Sequence, residues 1–156
     1  MEVPMEIKRD VYLDRLIVRK HNGLIKVITG IRRSVKSYLL NTLFYRHLIA
    51  ENISEDHIIK FAFDSAEDLL KIGEDPIVLD NEKEDRKVDP SKFINWLMPQ
   101  IKGDGMYYLL LDEVQKLGAF ESVLNGFLRR ENLDVYVTGS NSKFLSKDVL
   151  TEFRGR

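Results

Sequence analysis

Short apolar runs along the chain alternate with stretches in which apolar residues recur at a helical period. Four of the runs are rich in β-branched and aromatic residues and are bounded by polar residues or glycine, which is the pattern of short strands. Because these runs are apolar on both faces, they favour a parallel sheet that is covered by helices on both sides. The predicted strands are LIKVIT (residues 24–29), HIIKFAF (57–63), YYLLLDEV (107–114) and DVYVTGS (134–140).

Helical periodicity appears in the stretches around these runs. The pair Asp89-Pro90 provides a capping side chain and a proline in the first turn of one such helix. Residues 73–90 are otherwise dense in charge and weakly apolar, so we expect a solvated loop there. Alternating strands and helices predict a three-layer α/β domain. The predicted apolar helix faces consist of Tyr12, Leu13, Leu16 and Ile17; of Leu39, Leu40, Leu43, Phe44 and Leu48; of Phe93, Ile94, Leu97, Met98 and Ile101; and of Phe120, Val123, Leu124, Phe127 and Leu128.

The length and composition favour a single domain with almost no net charge. A chain of 156 residues with 44% hydrophobic content can form one domain with its own core. The 24 basic and 25 acidic residues give a net charge of −1, which provides no field that favours nucleic acid or an anionic membrane. The absence of cysteine excludes disulfides and thiolate zinc sites, and no apolar run reaches the roughly 18 residues that span a bilayer. We therefore expect a cytoplasmic protein whose first residues are neither a signal peptide nor a membrane anchor.

The stretch VITGIRRSVKSYLL (residues 27–40) nearly matches the phosphate-binding pattern G-x-x-x-x-G-K-[ST]. It follows a predicted strand and precedes a predicted helix, which is the context that this pattern requires. Gly30 would allow the sharp turn, Lys36 would reach the terminal phosphates of a nucleotide, and Ser37 would ligate Mg²⁺. Backbone N–H groups at the helix start would hold the phosphates. Taken alone, the stretch fits equally an ordinary strand-to-helix turn with a solvated lysine.

Val35 occupies the position at which the pattern has its second glycine. In intact loops of this type the residue before the lysine commonly takes a positive φ, which glycine adopts freely and a β-branched residue adopts only with strain. Val35 must therefore accept strain of about 1–3 kcal/mol or let the loop take a shape that no longer surrounds phosphate, and we expect the second. Either outcome predicts weakened ATP binding.

Two adjacent carboxylates end the apolar run YYLLLDEV. Asp112 would hold Mg²⁺ through water, and Glu113 would orient or deprotonate the water that attacks the terminal phosphate. The alternative is a strand that ends in a solvated acidic turn, for which the five preceding apolar residues are a poor choice. The second acid favours hydrolysis over transfer of the phosphoryl group to another substrate.

The run VYVTGSNS (residues 135–142) ends in small and polar residues at the same predicted edge of the sheet. Thr138, Ser140 or Asn141 would donate a hydrogen bond to the terminal phosphate or to the attacking water. Polar turns after strands are common, so this signal depends on its position beside the other two. The following NSKF does not supply the N-K-x-D pattern that reads guanine, which favours ATP over GTP.

Together, the segments YLDRL, VITGIRRSVKSYLL, YYLLLDEVQ, FESVLNGF and TGSNSKFLSKDVLTEFRGR resemble the N-terminal AAA-type ATPase domain of bacterial and archaeal ATP-binding proteins that carry a C-terminal domain of unknown function. The resemblance covers essentially the whole chain. It implies an α/β P-loop NTPase of the additional-strand-catalytic-glutamate branch, which uses ATP and Mg²⁺. It implies catalytic roles for Asp112, Glu113 and Asn141, and coordination of Mg²⁺ by Ser37 and Asp112. The nucleotide-binding residues that it implies are Gly30, Arg32, Arg33, Ser34, Val35, Lys36, Ser37, Tyr38 and Thr138.

Members of that family continue into another core strand and then the C-terminal domain. We therefore expect residues 1–156 to be a single P-loop domain that is truncated at its C-terminal end. In that branch the next strand flanks the loop-bearing strand, so LIKVIT is expected at an open sheet edge that self-association would cover. Arg154 and Arg156 would serve as an arginine finger for a neighbouring subunit, or belong to a disordered terminus.

The sequence thus predicts an ATP-binding, Mg-dependent ATPase domain. The rival interpretation is a degenerate, non-catalytic P-loop module that docks a partner or regulates it, and the valine at position 35 keeps that rival open. Nucleic-acid binding has only family context behind it, because the sequence has no basic stripe. The three histidines have no metal-ligand spacing and are interpreted as structural or surface residues.

Overall fold

The computed structural model describes residues 5–29, 33–79 and 86–140. Strands and helices alternate in this part of the chain, and 3₁₀ turns at Glu55–His57, Met98–Gln100 and Val114–Lys116 connect some of them. The elements are α1 (Met5–Val18), β1 (Lys26–Ile28), α2 (Arg33–Tyr38), a π-helical segment (Leu39–Phe44), α3 (Tyr45–Ala50), β2 (Ile58–Ala62), α4 (Ala66–Lys71), α5 (Pro76–Leu79), α6 (Pro90–Leu97), β3 (Tyr107–Asp112), α7 (Phe120–Phe127) and β4 (Leu133–Thr138).

The four described strands form one sheet in the order β1-β4-β3-β2, and every neighbouring pair is parallel. The last strand in sequence, β4, therefore lies between β1 and β3, with Val137 opposite Val27 and Val135 opposite Leu109. This confirms the predicted parallel sheet. Among the described residues, β1 is an edge strand.

Alternate residues of the strands enter two separate cores. Leu109 and Leu111 of β3 face a core that includes helices α6 and α7, whereas Tyr108 and Leu110 face a core with α1 and the helical segment 33–50. A strand that is buried on both faces needs apolar side chains at consecutive positions. The helices on the two faces and the sheet between them are the predicted three layers.

One continuous helical segment follows β1, because α2 runs into the π-helical segment and then into α3. Its residues Leu39, Leu40 and Phe44 are fully buried, and the ring of Phe44 lies 4.4 Å from that of Tyr136 in β4. π-Helical turns are rare and occur frequently at functional sites. This segment connects the candidate phosphate-binding residues directly to the core.

The segment 73–90 contains more structure than a solvated loop, so that prediction is wrong for its described parts. Residues 76–79 form α5, and Val88 is buried in a parallel bridge with Leu117. The predicted cap of α6 is confirmed, since the Asp89 carboxylate accepts a hydrogen bond from the Ser91 N–H at 2.8 Å. The sequence also did not indicate α4, because helices of four to six residues are too short to show a period.

None of the described helices is both long enough and apolar enough to cross a membrane.

Candidate active site

Three polar segments meet at the carboxyl edge of the sheet, where β1, β3 and β4 end. Parallel strands direct their carboxyl ends to the same edge, and ligands of open α/β sheets bind there. This topology brings the helical segment after β1 against Asp112 at the end of β3 and against Gly139, which follows β4. We call the cluster of Lys36, Ser37, Asp112, Glu113 and Thr138 the carboxyl-edge cluster.

Asp112 is the centre of the carboxyl-edge cluster. Its side chain is buried, and its Oδ2 accepts a hydrogen bond from the Ser37 hydroxyl at 2.6 Å although 75 residues separate the two in sequence. The same oxygen lies 3.4 Å from Nδ2 of Asn41, which belongs to the π-helical segment. The sequence analysis missed Asn41, whose position four residues after Ser37 on a helix would have placed it on the same face.

Thr138 links the two carboxylate residues. Its buried hydroxyl donates to Oδ1 of Asp112 and accepts from the backbone N–H of Glu113 at 2.9 Å. Glu113 has a φ of +56°, which is uncommon for a residue other than glycine. The hydrogen bond from its N–H to β4 helps to hold this turn, so the end of one strand fixes the backbone at the end of the next.

The Glu113 carboxylate lies largely out of solvent and accepts a hydrogen bond from the side-chain amide of Gln115. Gln115 is half-buried in the 3₁₀ turn that follows β3. In the sequence, this glutamine stands out only as the last letter of the DEVQ motif that contributes to the family resemblance.

Lys36 points into the interior rather than into solvent. Its ammonium group is buried and donates to the carbonyl of Gly139, the residue that follows β4, at 2.8 Å. A solvated lysine was the alternative that the sequence left open, and the structure excludes it. The segment after β1 is therefore tied to β3 through Ser37 and to the end of β4 through Lys36.

Val35 does not take the positive φ that is common at this position in intact loops, so the strained alternative is not the one observed. Helix α2 begins at Arg33, so Val35 is helical and half-buried, and it is absent from the residues with positive φ. The helix thus starts ahead of the position at which an intact loop would place its second glycine. β-Branched residues are tolerated in helices but rarely adopt positive φ, so a helical backbone at Val35 carries no strain of this kind.

The remaining predicted site residues divide into two groups. Ser34 and Tyr38 lie on the exposed side of α2, away from the buried Lys36. The others lie outside the described residues or have undescribed side chains: Gly30, Arg32, Arg33, Asn141, Arg154 and Arg156.

The donor set of the carboxyl-edge cluster fits Mg²⁺. Ser37 supplies a hydroxyl oxygen beside a carboxylate oxygen of Asp112, and hard oxygen ligands of this kind suit Mg²⁺. Among residues 5–29, 33–79 and 86–140, no three His, Cys, Asp or Glu side chains are grouped so that they could hold a metal ion. A site with one or two protein oxygens agrees with the preference of Mg²⁺ for water and substrate phosphates as its other ligands.

A second polar cluster occupies the opposite, amino-terminal edge of the sheet. Asp134 accepts from the fully buried Lys26 ammonium at 2.5 Å, from the Tyr136 hydroxyl at 2.6 Å and from the His21 backbone N–H at 3.1 Å. His21 also contacts the Tyr108 hydroxyl at 2.6 Å. We call these five residues the amino-edge cluster. The sequence did not indicate that Lys26 pairs with Asp134.

The amino-edge cluster keeps its phenols neutral. Burial raises the pKa of the Tyr136 hydroxyl far above its ordinary value of 10, and the charge of Asp134 raises it further. Burial and the same carboxylate raise the pKa of Tyr108. A phenol that must donate to a carboxylate cannot easily lose its proton.

Comparisons with known proteins agree with this fold. The AAA domain family matches residues 22–156. A protein of Haemophilus influenzae, described as uncharacterized, is 34% identical over 152 residues, which make up 96% of this chain and 34% of that protein. A protein of Methanocaldococcus jannaschii, also described as uncharacterized, is 31% identical over 157 residues, which make up 96% of this chain and 27% of that protein. This chain therefore spans about a third or less of the length of these relatives.

A solved structure shows the same fold at low sequence identity. One chain in the structure of Drosophila ORC bound to AT-rich DNA and Cdc6 superposes with a TM-score of 0.51 and 10% identity, over 92% of this chain and 53% of that chain. At this identity the likeness concerns the fold alone. The family match, the parallel sheet with its inserted strand and this structural likeness establish that the chain belongs to the AAA domain family and is a P-loop ATPase-type module.

Proposed function

We propose that this chain binds ATP together with Mg²⁺ and hydrolyses the ATP at the carboxyl edge of its sheet. The observation that carries the proposal is the 2.6 Å hydrogen bond between the Ser37 hydroxyl and the Asp112 carboxylate, next to the buried ammonium group of Lys36. A cation, a hydroxyl and a carboxylate at one point are the groups that phosphate with Mg²⁺ requires. The family membership supports the same chemistry.

Lys36 would bind the terminal phosphates. Its present acceptor, the Gly139 carbonyl, is a neutral group, and an anionic phosphate oxygen forms a stronger charge-assisted hydrogen bond. Exchange of one acceptor for the other would release Gly139 at the end of β4. The state of the phosphate site would thus be transmitted to the strand between β1 and β3.

Ser37 and Asp112 would hold Mg²⁺, Ser37 directly and Asp112 through water. When bound, the ion supplies positive charge that stabilises the phosphate oxygens of the transition state. Thr138 would keep Asp112 oriented, because its hydroxyl already donates to the other carboxylate oxygen. The buried setting of both residues strengthens these electrostatic contacts.

Glu113 would orient the attacking water and accept its proton. The residue follows Asp112 directly, its backbone is fixed to Thr138 at 2.9 Å, and its carboxylate lies largely out of solvent. A general base acts best when its geometry is fixed before the reaction begins. These constraints favour hydrolysis over a merely structural role for the second acid.

A specific observation also favours the rival, a non-catalytic module that docks a partner. The polar groups of the carboxyl-edge cluster hydrogen-bond to one another and to Gly139, so the fold does not need a nucleotide to satisfy them. In addition, the backbone at Val35 is helical. In an intact loop, the backbone at this position would instead curve around phosphate. Weakened ATP binding therefore remains part of the proposal.

Calorimetric titration with ATP, with and without Mg²⁺, tests the proposal, together with a phosphate-release assay. We expect binding that strengthens with Mg²⁺ and measurable phosphate release. Ser37→Ala should remove the strengthening by Mg²⁺, whereas Ser122→Ala, on the exposed side of α7, should not. Binding without phosphate release would support the docking module, and no binding at all would refute the nucleotide site.

Self-association is a separate part of the proposal. Among the described residues β1 is the sheet edge next to the candidate site, and its three residues are buried on both faces. Unprotected edge strands attract further strands. We expect light scattering to show a species larger than the monomer, and a monomer at all tested concentrations would contradict this part.

A further inference from the structure

The geometry points to Gln115 as a positioning residue that holds Glu113 and the attacking water for ATP hydrolysis. The inference rests on the proposed function and adds a residue to it. Gln115 lies two positions after Glu113, in the 3₁₀ turn Val114–Lys116, and its side-chain amide donates to Oε2 of Glu113. Neither the resemblance nor the family match assigns it a role.

The Glu113 carboxylate is held at several points. Glu113 has two other fixed points: its backbone N–H is bound by Thr138, and its φ of +56° confines the direction in which the side chain leaves the chain. A glutamate side chain nevertheless has three rotatable bonds. The amide of Gln115 holds its far end, which is the end that must meet the water.

The other polar atom of the Gln115 side chain is its carbonyl oxygen, Oε1. Within the part of the chain that the structure describes, Oε1 of Gln115 is buried and has no hydrogen-bond partner. Buried acceptors are normally satisfied by protein or by ordered water. This oxygen is bonded to the same carbon as the amide nitrogen that contacts Glu113, so a water bound between the two side chains in the ATP complex would satisfy Oε1 and meet the carboxylate.

A water held in this way has a defined orientation. One of its hydrogens would point to Glu113, which accepts the proton, and the other would point to Oε1 of Gln115. Its oxygen lone pairs are then directed away from both acceptors. Gln115 itself gains and loses no proton, so its part in the reaction is to position the other two.

The contact can be tested without any hydrolysis. In NMR spectra of the chain, the side-chain amide signals of Gln115 should shift when Glu113 is replaced in Glu113→Ala, while those of Gln100 should not. Gln100 is a suitable reference because its amide donates to the Trp96 carbonyl at 2.9 Å, away from the site. Gln115 signals that do not respond to Glu113→Ala would overturn the inference whether or not the protein hydrolyses ATP.

The positioning role is tested by kinetics. Gln115→Leu should lower kcat by about 10²-fold with KM and ATP affinity unchanged, since a small misplacement of a reacting group costs about that much. Gln115→Glu is the second variant, because it keeps the side-chain size but replaces the donor with a like charge, and it should also lower kcat. Gln100→Leu, which loses a comparable amide elsewhere, should leave kcat unchanged.

The outcomes separate the inference from the proposed function. An unchanged or increased kcat in Gln115→Leu overturns the positioning role while leaving the ATPase intact. A rise in KM without a fall in kcat overturns it as well, because that result describes a binding residue. A wild-type chain that shows the NMR contact but releases no phosphate refutes the ATPase, and with it the catalytic half of the inference.

Discussion

The two ends of the sheet each contain a buried lysine and a buried aspartate, but they pair these residues differently. At the amino edge, the ammonium of Lys26 lies 2.5 Å from the Asp134 carboxylate and 4.7 Å above the ring of Tyr136. At the carboxyl edge, Lys36 donates to a backbone carbonyl, and Asp112 accepts from the hydroxyls of Ser37 and Thr138.

This difference favours a structural role for the amino-edge cluster and a catalytic role for the carboxyl-edge cluster. Lys26 and Asp134 neutralise each other in direct contact, and Asp134 accepts two further hydrogen bonds. The charges of Lys36 and Asp112 are hydrogen-bonded to neutral groups instead. A phosphate or a metal ion can displace a neutral partner more easily than it can displace a counter-charge.

The largest expected effect is on the rate at the carboxyl edge. Glu113→Gln should reduce phosphate release by about 10²–10⁴-fold, because the amide fits the site but cannot accept the proton. ATP affinity should be retained, and the free energy of unfolding should not fall. Phosphate-release assays and calorimetric titration check this, with Glu131→Gln at an exposed position as the control. Equal turnover in wild type and Glu113→Gln would remove the chemical role assigned to this end.

The next effect is on stability at the amino edge. Asp134→Ala should lower the free energy of unfolding by about 3–5 kcal/mol, because it leaves Lys26 buried without its counter-charge. Urea unfolding measures the loss. The double variant Lys26→Met with Asp134→Leu should recover the part that comes from the unpaired Lys26, since apolar residues replace a buried ion pair at little cost, whereas the Tyr136 hydroxyl still lacks its acceptor. A loss below about 1 kcal/mol in Asp134→Ala would show that this end is not a structural cluster.

The strands and most of the longer helices were predictable because each has a local pattern of apolar residues in the sequence. Apolar runs bounded by polar residues marked all four strands to within about two residues at each end, as strand ends fray in this way. Apolar residues that recur every three or four positions indicated α1, α6, α7 and the helix after β1. The parallel arrangement followed from strands that are apolar on both faces.

The contacts between distant residues were not predictable in the same way. The sequence shows that Asp112 ends a strand, but only the order of the strands brings Thr138 and Ser37 to its two oxygens. The same holds for the amino-edge cluster, where 108 residues separate Lys26 from Asp134. In the sequence, Lys26 only interrupts the apolar run LIKVIT. Its burial is explained by Asp134 on the neighbouring strand, which the sequence does not identify as its partner.

A third prediction compares the two lysines directly. Lys36→Ala should weaken ATP binding by about 10- to 100-fold, since a hydrogen bond to a charged group is worth about 1.5–3 kcal/mol. Its effect on unfolding should be small, because the partner that it leaves behind is a neutral carbonyl. Calorimetric titration and urea unfolding measure the two effects, with Lys102→Ala at an exposed position as the control. An unchanged ATP affinity in Lys36→Ala would show that Lys36 does not bind the phosphates.

A fourth prediction uses alkaline pH to address the amino edge alone. The pKa of Tyr136 is raised in the folded chain above its unfolded value of 10, so its stabilising contribution is complete below that pH and is lost as the pH rises further. Tyr136→Phe should lower the free energy of unfolding by about 1.5–3 kcal/mol at neutral pH, because it removes a hydrogen bond to a carboxylate. It should also flatten the decline in stability above about pH 10. Urea unfolding over that range tests the point, and equal declines in both proteins would contradict it.

The smallest effect concerns Val35, at the point where the carboxyl edge departs from the usual phosphate-binding pattern. In the structure Val35 belongs to α2, so ATP binding that needs a positive φ at this residue must first unwind the start of the helix. A left-handed conformation costs an L-residue about 1–2 kcal/mol and costs glycine almost nothing. Val35→Gly should therefore strengthen Mg-dependent ATP binding by about tenfold, at roughly 1.4 kcal/mol per factor of ten. It should lower the free energy of unfolding by less than about 1 kcal/mol, since glycine is a poor helix former.

Val35→Ala is the matched control, because it removes the branched side chain without the freedom to adopt positive φ. If calorimetry gives the two variants the same affinity, the backbone at position 35 does not limit binding, and the helix that begins at Arg33 is compatible with phosphate as it stands.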